Sequence, residues 1–214
     1  MDQQFWRDRW SAGQIGFHLG KPHDFLVKHH DLIAAARRVY VPLCGKAKDL
    51  VWLRDHGHDV TGTELVPEAI AQLMAEESLL PTHTHRGPYK LHITPKLTVL
   101  EGDALALSTD VAGVFDAVFD RGAFIALPPS MRADYVQSLL RVLRPGGHIL
   151  LVGFVYDQTK LGGPPFSVDE HVVRDAFAGC SVRVVDERPE PIGARFAAAG
   201  VSELKEVAVF VERT

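Results

Sequence analysis

Between residues 24 and 155 the apolar positions of this chain alternate between short unbroken runs and helical spacing. Asp24 to Ala36 offers Phe25, Leu26, Leu32 and Ile33 for the buried face of a helix, and Val39 to Leu43 is then a short apolar run ending in Cys44-Gly45. Asp49 to His56 carries Leu50, Val51 and Leu53 at helical spacing, Val60 to Leu65 returns to strand character, and Glu68 to Glu77 has the Ala, Ile, Leu and Met content of a helix. Leu97 to Glu101 predicts a strand, and Val114 to Phe119 predicts another, apolar enough to be buried on both faces as central parallel strands are. A helix from Pro129 to Leu143 stops at Pro145-Gly146-Gly147, and His148 to Val155 is the next strand. The tail predicts a helix over Val172 to Phe177, then strands Ser181 to Glu187 and Lys205 to Glu212 with no helix between them.

Strands alternating with helices imply βαβ units, a mostly parallel sheet with helices on both faces, and a closing antiparallel hairpin at one edge. The exception is Ser78 to Pro95, rich in Pro, His, Thr and Gly, which reads as a long surface excursion. A length of 214 residues fits one large domain.

Composition narrows the classes. With 46% hydrophobic and 23% charged residues the chain can bury a core, and 23 basic against 27 acidic side chains give a net charge of −4 with no block of either sign. That balance disfavours nucleic acid and anionic membranes as partners, and no apolar run reaches the roughly 18 residues of a membrane span. Cys44 and Cys180 form neither a disulfide framework nor a CxxC site, so a cytoplasmic protein in a reducing compartment is expected.

In a doubly wound sheet, ligands bind beyond the carboxyl ends of the strands. Four turns there carry candidate chemistry. Leu43-Cys44-Gly45-Lys46 brings backbone close to a nucleotide-like ligand, although one glycine also serves a plain tight turn. Glu64 ends the second strand about 20 residues later, where an acid accepts ribose hydroxyls, or simply ends a strand in solvent. Gly102-Asp103-Ala104 suits an adenine or an Asx turn. Arg121, after the most hydrophobic strand, offers a planar cation for an anion, or a structural pair with Asp120 or Asp103. Phe5, Trp6, Trp10 and Phe17 crowd the N-terminal segment as a docking face or a lid whose aromatic faces suit a sulfonium. His83, His85 and His92 lack an acidic or thiol companion, so no metal is expected, with a non-catalytic metal- or ligand-binding module as the rival reading.

Phe5-Trp6 with Trp10, then Gly16-Phe17-His18, Val41-Pro42-Leu43-Cys44-Gly45-Lys46, Val60-x-Gly62-x-Glu64, Gly102-Asp103, Asp120-Arg121-Gly122-Ala123 and Gly163-Pro164-Pro165-Phe166 stand in one order. In that order they closely resemble the thiopurine S-methyltransferase family, in its bacterial branch. The resemblance implies a class I, Rossmann-like methyltransferase domain over residues 1–214, with a seven-stranded mostly parallel sheet, an antiparallel edge hairpin and an N-terminal lid over about residues 1–36. It implies S-adenosyl-L-methionine as cofactor, S-adenosyl-L-homocysteine as product, a small-molecule thiol as acceptor and a monomer. It places Trp6, Trp10, Phe17, Leu43, Gly45, Glu64, Asp103, Ala104 and Arg121 around the cofactor, and Phe17, Arg121 and Arg195 at the substrate, the two arginines being the catalytic pair. Selenium or tellurium oxyanions are the alternative acceptors that relatives suggest. A nicotinamide-dependent dehydrogenase shares the strand-turn-helix logic, but no GxGxxG is present.

Overall fold

A computed structural model describes residues 3–214; the first two residues of the expected lid segment lie outside it. In chain order the elements are α1 (Gln3–Ser11), α2 (Asp24–Lys28), β1 (Arg38–Val41), α3 (Asp49–Asp55), β2 (Asp59–Glu64), α4 (Pro67–Glu76), β3 (Thr82–Arg86), β4 (Tyr89–Thr94) and β5 (Leu97–Glu101). They continue with α5 (Thr109–Ala112), β6 (Phe115–Arg121), α6 (Pro129–Val142), β7 (Leu143–Val155), α7 (Glu170–Ala176), β8 (Ser181–Pro189), α8 (Ala194–Ala198) and β9 (Lys205–Glu212).

The described strands form one sheet in the order β3-β4-β5-β2-β1-β6-β7-β9-β8. β5, β2, β1, β6 and β7 are parallel to their neighbours in that block. β9 inserts antiparallel between β7 and β8. Strand order therefore reverses at β1, which has β2 on one side and β6 on the other, and a crevice opens beyond that switch point.

Side chains alternate across the sheet with the strand period of two. Val39 and Val41 of β1, Ala117 and Phe119 of β6, and Leu150 and Val152 of β7 pack with Leu50 and Leu53 of α3 and Ile70 and Leu73 of α4. Tyr40, Val118, Ile149 and Leu151 face the other way, against Tyr135, Val136 and Leu139 of α6. α4 starts with Pro at its first turn, where a missing N–H costs nothing, and turns Ala69, Ile70, Leu73 and Met74 inward.

Three expectations are corrected. The seven-stranded frame is present, but Ser78 to Pro95 is not a surface excursion: β3 and β4 form an antiparallel hairpin that extends the sheet to nine strands through β5. Tyr89 and Leu91 are buried, whereas every residue of β3 is exposed, so an outer strand of Thr and His has no apolar alternation to show. The helix expected over Asp24 to Ala36 ends at Lys28, because His29 leaves the helical region (φ −111°, ψ 23°) before a short 3₁₀ turn, His30–Leu32. Finally, α8 lies between β8 and β9, so these are an antiparallel pair without a tight hairpin, and β8 forms this edge of the sheet as β3 forms the other.

Candidate active site

A cavity of about 840 Å³ opens beyond the carboxyl ends of β1, β2, β5 and β6, and all ten residues singled out above line it, from Trp6 to Arg195. Its size falls within the roughly 300–1,000 Å³ range of small-molecule sites.

The turn after β1 forms one wall. Leu43 and Gly45 both take the left-handed conformation, at φ 46° and 52°. A Cβ on Gly45 would meet the Trp10 ring at 3.0 Å, so a glycine here is required by both conformation and space. The Gly45 amide donates to Oε2 of Glu64 (2.8 Å), and the Val66 amide donates to Oε1 (2.8 Å). Burial pushes the Glu64 carboxyl up, and these amides pull it back toward the charged form. Each oxygen keeps capacity for another donor.

Asp103 caps the short turn Ala104–Ala106, accepting from the Leu105 amide at 2.9 Å. The Tyr89 hydroxyl holds the Asp103 carbonyl at 2.7 Å, and the same ring packs so closely on Gly102 that a Cβ there would lie 2.4 Å from it. The β3–β4 hairpin thus shapes this corner of the cavity through Tyr89.

Arg121 is paired with neither Asp120 nor Asp103. Its Nη1 donates to the Phe17 carbonyl (2.7 Å), its Nη2 lies 3.6 Å from Oδ2 of Asp49, and its Nε is buried with no protein partner. Asp49, 1% exposed at the start of α3, also accepts from the His23 amide at 2.7 Å. From there a chain of hydrogen bonds runs outward: His23 Nε2 to Glu206 Oε1 (2.9 Å), both buried, and half-exposed Arg188 Nη2 to Glu206 Oε2 (2.6 Å). Burial pushes the Glu206 carboxyl up, yet His23 and Arg188 outweigh it and hold the group below its ordinary value. His23, Arg188 and Glu206 line the cavity and were not singled out from the sequence, where no spacing links partners so far apart.

Asp120 turns inward instead, accepting from the Tyr135 hydroxyl (2.7 Å) and the Phe124 and Ala123 amides (3.1 and 3.3 Å). Burial raises its carboxyl to about 6, and the folded chain keeps this proton to higher pH than the unfolded chain does. Its contribution to stability is therefore greatest below roughly pH 4 and declines up to roughly pH 6. Across that window the unfolding free energy of the wild type relative to Asp120→Asn is expected to fall by about 3 kcal/mol in urea titrations; a constant difference would show that Asp120 titrates normally.

Above the cavity, Trp10 is buried against Val66 and Ala69, while Trp6 and Trp10 meet Phe17 edge to face at 5.7 and 5.9 Å. Arg195, from α8, reaches the Pro164 carbonyl (2.5 Å) and the Gly163 carbonyl (3.4 Å), without an ion pair among the described residues. His83 and His92 touch across the β3–β4 hairpin, ring centroids 4.8 Å apart, and His92 bonds Glu101 at 2.9 Å. No group of three metal-ligating side chains occurs among the described residues.

A sequence profile described as "Thiopurine S-methyltransferase (TPMT)" matches residues 1–214. The chain belongs to the thiopurine S-methyltransferase family. Among curated relatives, the thiopurine S-methyltransferase of Vibrio cholerae serotype O1 (strain M66-2) is 40% identical over 218 residues, covering 100% of this chain and 99% of its own. That of Xanthobacter autotrophicus (strain ATCC BAA-1158 / Py2) is 43% identical over 197 residues, covering 90% and 92%.

Solved structures share the family's fold at low identity. A SAM-dependent methyltransferase from Anabaena variabilis superposes with a TM-score of 0.66 at 11% identity, covering 99% of this chain and 95% of its own. The 1,6-didemethyltoxoflavin-N1-methyltransferase of Burkholderia thailandensis, solved with S-adenosylhomocysteine, gives 0.63 at 18% identity, covering 99% and 87%. This member of the thiopurine S-methyltransferase family is an S-adenosylmethionine-dependent class I methyltransferase. No helix among the described residues is long and apolar enough to cross a membrane.

Proposed function

We propose that the enzyme moves the methyl group of S-adenosyl-L-methionine to the sulfur of an aromatic or heterocyclic thiol such as a thiopurine, leaving S-adenosyl-L-homocysteine. The observation that carries this reading is the convergence, in one cavity, of a clasped acid, an aromatic cover and an arginine whose buried Nε has no protein partner.

The residues suit the cofactor. Glu64 has spare acceptor capacity for the ribose hydroxyls, Asp103 and Ala104 flank a slot for the adenine, and Leu43 and Gly45 bring backbone close below Trp10. When bound, the cofactor supplies an electrophilic methyl group on a cationic sulfur, which aromatic faces favour. Trp6 and Phe17 close the N-terminal segment over this space and exclude water, so that alignment supplies much of the acceleration. Arg121 places its guanidinium charge on the cavity wall and stabilises the acceptor as a thiolate, with Arg195 a second positive charge on the same cavity. An acidic aromatic thiol arrives ionised and needs no dedicated base.

We also read the enzyme as a cytoplasmic monomer, in keeping with two free cysteines. The test is transfer of a labelled methyl group from S-adenosyl-L-methionine to an aromatic thiol, run beside its hydroxyl analogue. Transfer to the thiol alone is the expected result. Transfer to neither, with methylation of selenite or tellurite instead, would move the acceptor class to oxyanions.

A further inference from the structure

Two histidines line the cavity, and they are used differently. Both ring nitrogens of His23 are committed: Nδ1 accepts from the Phe25 amide (3.2 Å), and Nε2 bonds Glu206 at 2.9 Å. The ring of His18 makes no hydrogen bond to any of the described residues. Its position is nonetheless set. The His18 amide closes a turn on the Ile15 carbonyl (2.8 Å), and the carbonyl of the preceding residue, Phe17, is the one that Arg121 holds at 2.7 Å. The uncommitted imidazole is therefore tied within one residue of the arginine assigned to the acceptor.

The other cavity groups able to take a proton are mostly engaged. Glu64 is clasped by amides, Asp103 caps a turn, Asp24 pairs with Lys21 and Arg188, and Glu206 pairs with His23 and Arg188. Glu190 lies 3.8 Å from Arg188 and is a carboxylate, a weaker base toward a thiol than an imidazole.

Resting on the thiol-acceptor reading, we infer that His18 is the proton acceptor for thiols that enter the cavity un-ionised. The S–H proton passes to a ring nitrogen of His18. The sulfur pair forms the new S–CH₃ bond as the methyl–sulfonium bond breaks, its electrons staying on the donor sulfur, and the imidazolium then gives its proton to water. The surroundings keep the ring ready. Burial first, and then the charges of Lys46, Arg121 and Lys48, lower the affinity of His18 for a proton, with Glu76 alone opposing, so the ring is neutral at physiological pH.

The test compares a para-methoxy and a para-nitro aromatic thiol at about pH 6, where the first is largely protonated and the second ionised. His18→Gln is expected to lower kcat for the methoxy thiol by about fivefold to tenfold, the limit set by the fraction already ionised, and to change the nitro thiol less than about twofold. Phe17→Ala, which loosens the cover without touching the base, should slow both thiols alike. A readout independent of turnover uses the enzyme with S-adenosyl-L-homocysteine and no methyl donor. There the bound methoxy thiol should show its thiolate absorbance with the wild type and lose it with His18→Gln. Equal losses on both thiols, no loss on either, or a methoxy-specific loss in Glu190→Gln in place of His18→Gln would overturn the assignment. If the wild type methylates neither thiol, the thiol-acceptor reading itself falls, and this proposal with it.

Discussion

Arg121→Ala should lower kcat/KM for thiol methylation by about two to three orders of magnitude, the loss that follows when a preorganised donor is removed from a developing or stabilised anion. Three consequences meet in that one side chain. The acceptor loses the guanidinium charge on the cavity wall, the cover loses the bond from Nη1 to Phe17, and Asp49 loses the cation 3.6 Å away while staying buried. A buried carboxylate stripped of its partner is costly, so a lower melting temperature should accompany the kinetic loss. Arg121→Lys separates these effects. Lysine keeps the charge but not the planar fork, so it should spare much of the stability and recover little of the rate, because one ammonium cannot serve Phe17, Asp49 and the acceptor together. Steady-state kinetics, limited proteolysis of the N-terminal segment and a thermal melt on both variants check this. Normal turnover in both would remove Arg121 from the mechanism.

Glu64→Gln should weaken binding of S-adenosyl-L-methionine by about 100-fold, measured by titration calorimetry. The side chain's two oxygens accept from the Gly45 and Val66 amides at 2.8 Å each and are buried. An amide of the same shape must set its NH₂ against one of those N–H groups and can no longer accept there. The lost amide bond falls on free and bound enzyme alike, so the affinity change comes from the ribose hydroxyls: hydrogen bonds to a charged group are worth about 1.5–3 kcal/mol each, about 1.4 kcal/mol is tenfold in affinity, and two such bonds reach the expected factor. The same substitution disturbs the Leu43–Gly45 turn through Gly45, which couples the ribose acid to the wall beside Trp10. An unchanged dissociation constant would place the cofactor elsewhere in the cavity.

Much of the site was readable because its signals are local. A strand run followed by Leu43-Cys44-Gly45, an acid at the end of β2, and an arginine closing β6 each stand at or just past the carboxyl end of a strand, and parallel pairing brings all such ends to one sheet edge. The role of Asp120 was not readable: it and Arg121 are neighbours in sequence, but alternation sends one inward to Tyr135 and the other toward the cavity. Nor was the β3–β4 hairpin, since an exposed outer strand of Thr and His has no periodicity to betray it.

The sequence by itself determined the order of the parallel strands and the helices between them, and the identity of the turns that meet at the sheet's carboxyl edge, because hydrophobic period and turn chemistry act over a few residues. Only the tertiary structure decided which partner each charge takes. His23 meets Glu206 from 183 residues away and Arg121 meets Phe17 from 104, and such pairings depend on how elements pack rather than on any spacing along the chain. It also decided which of the two cavity histidines keeps an uncommitted ring, because an imidazole's availability is set by the groups that fold against it.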